Sequence, residues 1–176
     1  MKNNLLTMAP RPFGESFGEQ LFFRIMPELT DRKDASHDAT LNQFRTEIKL
    51  SRVVNKRKTK NLFESILDEN TTTFLDSSSE EKFDCNIQQV KPKCFDVIIY
   101  GIMFDDVMHI FKTTSDVIEN DKNIGYVDKQ HRGNVGEGQF HIKQNNIQYH
   151  LDNFLIRTLT WDDLVTIVKG EDDQDN

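Results

Sequence analysis

A carboxylate and an ammonium group stand two residues apart in a segment that has the pattern of a half-buried strand. Residues 44–51 alternate between apolar or weakly polar side chains and more polar ones, and a period of two is typical of a strand with one buried face. Side chains two apart on a strand point to the same face. The sequence therefore predicts that Glu47 and Lys49 project together from the polar face of this strand.

A second carboxylate is predicted to lie opposite Glu47. A two-residue turn at 42–43 would pair Leu41 with Phe44, and the same register, continued outwards, places Asp38 directly across from Glu47. Directly opposed side chains have Cβ atoms about 5 Å apart, and like charges there are destabilising unless something compensates them. A divalent cation and a nearby lysine are natural compensators.

Two carboxylates and a lysine in this arrangement suit the hydrolysis of a phosphodiester. Hard oxygen ligands hold Mg²⁺, which polarises the phosphoryl group and acidifies a bound water. An adjacent lysine can orient that water or help to deprotonate it. The string acidic-x-Lys is not specific by itself, because it occurs at 31–33, 47–49 and 80–82. Only the middle copy lies on an alternating strand and opens into a basic block; the structural alternative is a surface ion pair.

The residues Asp38, Glu47 and Lys49 resemble the motif of the PD-(D/E)xK nuclease superfamily, the fold of most type II restriction endonucleases. The family pattern is an acidic residue entering one strand, followed by a Glu/Asp-x-Lys on the next. The resemblance implies that all three residues are catalytic, with Asp38 and Glu47 as the metal ligands and Lys49 serving the attacking water. The chain departs from the pattern at His37, where the family motif has proline.

The resemblance covers residues 13–112 in layout, although its motif involves only three positions. An apolar stripe predicts a helix over 13–26, which looks like the family's opening helix. Such helices sometimes add a carboxylate to the site, and Glu19 is the candidate for a further metal ligand. The apolar hairpin at 94–112 is similar to the family's continuing core strands.

These elements predict an α/β (α+β) fold with a restriction-endonuclease-like core, a central mixed β-sheet flanked by helices. A closing helix is expected at 161–168, because Thr160 and Asp163 have the spacing of a capping box. We expect residues 1–170 to form a single nuclease domain. Residues 171–176 carry four acidic side chains and predict an acidic, disordered tail.

The net charge of −7 argues at first against nucleic acid as a partner. The charge is uneven, however: residues 45–60 contain seven basic side chains and one acidic side chain, a net charge of +6. This distribution excludes indiscriminate coating of DNA but fits one basic cleft. The DNA-binding candidates here are Arg52, Lys56, Arg57 and Lys58. Lys56, Arg57 and Lys58 suit phosphate contacts; the alternative is a solvated basic loop.

A second segment has the composition of a base-reading loop. Residues 126–143 contain glycines and several side chains of the types that hydrogen-bond base edges. The DNA-binding candidates here are Gln130, His131, Arg132 and Asn134. The alternative is an ordinary polar loop that precedes a strand, which is expected over 139–143.

The expected function is a Mg²⁺-dependent, sequence-specific endonuclease that hydrolyses double-stranded DNA. One site in so small a domain predicts a homodimer acting on a two-fold symmetric sequence. We expect no membrane association, since the chain lacks an apolar run of spanning length. We also expect no small-molecule cofactor, since no segment resembles a phosphate-binding glycine loop. Two cysteines without a framework predict reduced thiols and a cytoplasmic location. Three alternatives stay open: a non-catalytic DNA-binding or regulatory protein, a protein-interaction domain, and a repair or junction-resolving nuclease.

Overall fold

The architecture comes from a computed structural model, which describes residues 1–9, 12–31, 36–56, 72–129 and 135–170. The acidic tail expected at 171–176 lies outside these ranges, so its disorder stays a prediction. No helix within them is long and apolar enough to cross a membrane.

Six strands form a central mixed sheet. In spatial order they are β1 (Leu29–Asp31), β2 (Ala39–Leu41), β3 (Phe44–Arg52), β7 (Val97–Met103), β8 (Val107–Thr114) and β10 (Leu155–Thr160). β3 and β7 run parallel, and the other neighbouring pairs are antiparallel. β7 is buried along all but its first residue, as expected for an apolar strand covered on both faces.

Two further strand pairs lie outside the central sheet. β4 (Val54–Lys56) pairs with β5 (Thr72–Phe74), and β6 (Asp84–Val90) pairs with β9 (Gly138–Lys143). We call the antiparallel β6–β9 pair the ribbon. β9 was expected from the sequence, whereas β6 was not.

The β2–β3 hairpin has the register that the sequence predicts. Leu41 pairs with Phe44, and Ala39 pairs with Thr46. The two turn residues, Asn42 and Gln43, have φ values of 48° and 75°. Positive φ at both central residues matches the right-handed twist of the strands, which is why tight hairpins favour such turns.

Within the described ranges the helices are short and lie on either side of the sheet. They are α1 (Lys2–Thr7), a π-helix (Pro12–Gly18), α2 (Glu19–Ile25), a 3₁₀ turn (Pro92–Cys94), α3 (Ser115–Asn120), α4 (Ile147–Phe154) and α5 (Trp161–Lys169). The predicted helix at 13–26 is therefore helical, but its first half is a π-helix. Apolar spacing over two turns does not distinguish the two hydrogen-bonding patterns. The capping box of α5, made by Thr160 and Asp163, is confirmed.

Alternation along β3 and β7 divides the core into two layers. Ile98, Tyr100 and Ile102 belong to the layer that the ribbon covers. Ile48 and Ile99 belong to the layer covered by α2 and α5. We call these two sides the ribbon face and the helix face. The predicted mixed α/β fold, a central mixed sheet flanked by helices, is confirmed at this level.

Candidate active site

Three side chains meet at the β2–β3 hairpin. The Asp38 N–H donates to the Thr46 carbonyl at 3.1 Å, one residue before β2 begins, so the register places Asp38 across from Glu47. Lys49 Nζ lies 3.6 Å from Asp38 Oδ2 and also donates to Glu47 Oε1. The predicted juxtaposition is present, and we call Asp38, Glu47 and Lys49 the carboxylate–lysine cluster.

Each carboxylate uses one oxygen in these contacts. Asp38 Oδ2 accepts the Ile48 N–H at 2.9 Å, which fixes the carboxylate against β3. Glu47 Oε1 accepts from Lys49. Within the described ranges no hydrogen bond reaches Asp38 Oδ1 or Glu47 Oε2, so one oxygen on each side chain is left to bind a cation.

Burial sets the electrostatics of the cluster. The Glu47 residue is only 8% exposed, and this burial raises the pKa of its carboxyl group; Lys49 lowers it, and the neighbouring Asp38 charge raises it again. The net direction is upward. Burial and a second carboxylate disfavour the ionised form of Glu47. A cation bound beside the two carboxylates would favour that ionised form.

The ribbon covers the cluster's side of the sheet. The Ser51 hydroxyl shares a hydrogen bond with the thiol of Cys85 on β6. Burial raises the pKa of this thiol, and the hydrogen bond offsets part of that increase. Lys91, directly after β6, acts on Glu47 through its charge, a weaker influence on that pKa than burial. Its Nζ lies 2.9 Å from Glu137 Oε1. Sequence reasoning missed Lys91, because its approach to Glu47 depends on a long-range contact with no spacing signal.

The donor set is the kind that Mg²⁺ takes. Mg²⁺ is usually held by one or two carboxylates, with waters and substrate phosphates completing its octahedron. Asp38 and Glu47 supply two such carboxylates. Within the described ranges no three His, Cys, Asp or Glu side chains form a group that could hold a metal ion.

Glu19 is the first residue of α2, which packs on the helix face through Leu21 and Phe22. Glu47 and Lys49 alternate onto the ribbon face of β3. The contacts described above join Asp38 and Glu47 to Lys49, and the role of Glu19 as a further metal ligand stays a prediction.

Arg52 lies on the helix face, because it is four residues from Ile48 on β3 and alternate residues of a strand share a face. Its Nη1 donates to the carbonyls of Leu5 and Leu6, and its guanidinium stacks 4.6 Å from the centroid of the Phe13 ring. Burial lowers the pKa of Arg52. These contacts tie α1 to the sheet, and we leave Arg52 out of the proposed DNA-binding surface.

The other predicted DNA contacts are largely outside the description. The backbone of Lys56 ends β4, but its side chain is not described. The remaining candidates lie outside the described ranges: Arg57, Lys58, Gln130, His131, Arg132 and Asn134. Their roles stay predictions.

The chain matches no family model, and it has no significant match among curated proteins or solved structures. Its function is therefore inferred from the geometry of the cluster and of the elements around it.

Proposed function

We propose that this protein is a Mg²⁺-dependent endonuclease that hydrolyses the phosphodiester bonds of double-stranded DNA. The observation that supports it is the meeting of Asp38, Glu47 and Lys49 on one face of a hairpin. An isolated surface ion pair would need only one carboxylate for its lysine. Here two opposed carboxylates share one lysine beside the buried strand.

In the proposed mechanism, Asp38 and Glu47 would hold Mg²⁺ through the carboxylate oxygens that accept no hydrogen bond within the described ranges. When bound, Mg²⁺ polarises the phosphoryl group and lowers the pKa of a coordinated water. Lys49 keeps its ammonium between the two carboxylates, where it orients the attacking water and stabilises charge that develops on the phosphate. The Ile48 N–H holds Asp38 in position throughout.

The proposal extends to a restriction-endonuclease-like core. Helix α2 precedes the β2–β3 hairpin. Asp38 stands directly before β2, and β3 carries Glu47 and Lys49. A buried apolar hairpin, β7–β8, then continues the sheet beside β3. This order agrees with the layout that the resemblance implies. We also propose that the enzyme acts as a homodimer, since each chain supplies one cluster and a duplex has two strands. Sequence-specific cleavage and a cytoplasmic location belong to the same proposal.

Cleavage of supercoiled plasmid with Mg²⁺ or with EDTA tests the reaction. Mg²⁺ should convert plasmid to discrete fragments, and EDTA should prevent this. Lys49→Ala and Glu47→Gln should lose cleavage by at least about a hundredfold, as expected for a group that assists proton transfer or holds the metal. Lys112→Ala is the matched control, because Lys112 is an exposed lysine on β8.

The outcomes separate the competing functions. Full activity of Lys49→Ala would refute the proposed site. Binding of DNA without cutting would favour the non-catalytic alternative. Fragments that share one terminal sequence support specific cleavage, whereas a smear of ends would contradict it. Calorimetric titration with Mg²⁺ gives a readout independent of cleavage, and Asp38→Asn should weaken that binding.

A further inference from the structure

The ribbon has one buried face and one polar face. Cys85, Ile87, Phe140 and Ile142 point into the core. The alternate positions form three cross-strand pairs of polar residues, which are Asp84 with Lys143, Asn86 with His141, and Gln88 with Gln139. Five of these six side chains are Asn, Gln, His or Lys, and Asn, Gln and Lys are among the types that read base edges in the major groove.

Several of these groups keep unused hydrogen-bonding capacity. Asn86 Nδ2 donates to Gln139 Oε1 at 2.9 Å, which holds the Gln139 amide in place while leaving its amino group as a donor. His141 Nδ1 lies 2.5 Å from Asp84 Oδ1, which orients the imidazole. The side chains of Gln88 and Lys143 hydrogen-bond nothing in the part of the chain that the structure describes. The polar face of the ribbon therefore carries some side chains that are oriented by a neighbour and others, Gln88 and Lys143, whose hydrogen-bonding groups are available to a ligand.

The dimensions of the ribbon match a DNA groove. The major groove of B-DNA admits a two-stranded β-ribbon, and proteins read bases with such ribbons. Outward residues on one strand recur about every 6.7 Å. Stacked base pairs recur every 3.4 Å along each strand, so each outward pair corresponds to about two base-pair steps.

The ribbon also leads to the carboxylate–lysine cluster. β6 packs beside β3, where the Cys85 thiol and the Ser51 hydroxyl share a hydrogen bond. A β-bulge between Gln88 and Val90 interrupts the ladder, and Gln89 has a φ of 57°. Bulges are over-represented next to active sites, where they re-aim side chains, and a glutamine in the left-handed region is an unfavourable conformation that a structure retains for a reason.

We propose that the polar face of the ribbon is the base-reading element, which inserts into the major groove and sets the cleavage sequence. This inference rests on the proposed endonuclease function and deepens it. Gln88, at the bulge, reads the base pairs closer to the cut. Lys143, four residues from Gln139 along β9, reads base pairs about four steps further away. Glutamine pairs best with adenine and lysine with guanine, which fixes the expected bases.

The test is cleavage of duplexes with a randomised central segment, followed by sequencing of the cut ends. Wild type should show base preferences at defined distances from the cut. Gln88→Ala should relax a preference close to the cut by roughly 5- to 150-fold, and Lys143→Ala should do the same about four base pairs further out. Gln148→Ala and Lys112→Ala are matched controls from elsewhere on the surface. Thermal denaturation verifies the fold, and Gln88→Glu supplies a second change at the same position.

Each outcome decides the proposal. Loss of preference at two separate positions, with cleavage of the remaining sequences retained, supports it. A uniform loss of cleavage with unchanged preferences would mean that these residues contact phosphates, and it would overturn the base-reading role. Unspecific cutting by wild type would overturn the ribbon's role and leave the nuclease standing. A wild type that cuts no duplex with Mg²⁺ would overturn both.

Discussion

Acidification should destabilise this protein through one buried histidine. His150 in α4 is fully buried, and its Nδ1 lies 2.8 Å from the Tyr100 hydroxyl. Burial lowers its pKa from 6.5 to about 4, against a smaller opposing influence of Asp121. The unfolded chain therefore binds more protons than the folded chain between these two values. Stability is fully present above pH 6.5 and falls as the pH drops towards 4.

The magnitude follows from the size of the shift. The fall in the His150 pKa from 6.5 to about 4 corresponds to a maximum loss of about 3.4 kcal/mol in the free energy of unfolding, at about 1.36 kcal/mol per pKa unit. Between pH 7.5 and pH 5.0, His150 should contribute a loss of about 2 kcal/mol. Other groups titrate as well, including Glu47, whose raised pKa acts in the opposite direction. The informative quantity is thus the difference between wild type and a variant that lacks this titration.

The assay is urea unfolding followed by the fluorescence of Trp161, the single tryptophan. His150→Gln removes the titrating ring and leaves a neutral amide near Tyr100. The variant will be less stable at pH 7.5, but its further loss on acidification should be about 2 kcal/mol smaller than that of wild type. His141→Gln is the matched control, since the side chain of His141 is 28% exposed. Equal losses for wild type and His150→Gln would refute the reasoning.

Three further outcomes are expected. Mg²⁺ at ten times its Kd should stabilise wild type by about 1.4 kcal/mol through mass action, and Glu47→Gln should abolish this gain in a thermal melt; an unchanged gain would place the ion elsewhere. Arg52→Ala should cost about 1–3 kcal/mol in urea unfolding, because it removes charged hydrogen bonds to Leu5 and Leu6, while cleavage per folded molecule stays unchanged. Gly138→Ala should cost about 2 kcal/mol or more, since its Cβ would lie 2.3 Å from the Val127 carbonyl oxygen; Gly14→Ala, with 4.0 Å to its nearest neighbour, is the control.

The local parts of this fold were predictable from the sequence. The β2–β3 register follows from a period of two and a turn at Asn42–Gln43, both of which are properties of adjacent residues. The capping box at Thr160 and the apolar β7–β8 hairpin are local signals of the same kind. The register and the alternation were also sufficient to predict that Asp38, Glu47 and Lys49 lie close together.

The parts that depend on distant contacts were not predictable. β6 mixes buried residues with Asn86 and Gln88, and the bulge at Gln89 breaks its alternation. The approach of Lys91 to Glu47 requires β6 to lie beside β3, which no spacing encodes. Arg52 is a different case, because the alternation of β3 already assigns it to the face of Ile48. Its inclusion among the DNA-binding candidates rested on its place in the basic segment 45–60.

The parallel pairing of β3 with β7 has a kinetic consequence. The β2–β3 hairpin closes over two turn residues and can form within about 1–10 μs. Pairing of Glu47 with Ile98, and its burial beneath the ribbon, must wait for much longer loops to close, and such non-local contacts slow folding. The two carboxylates are therefore opposed early, in water, where their repulsion is weak. Glu47 becomes buried only after these long-range contacts with β7 and the ribbon have formed, so the electrostatic cost of the site falls on the late steps of folding.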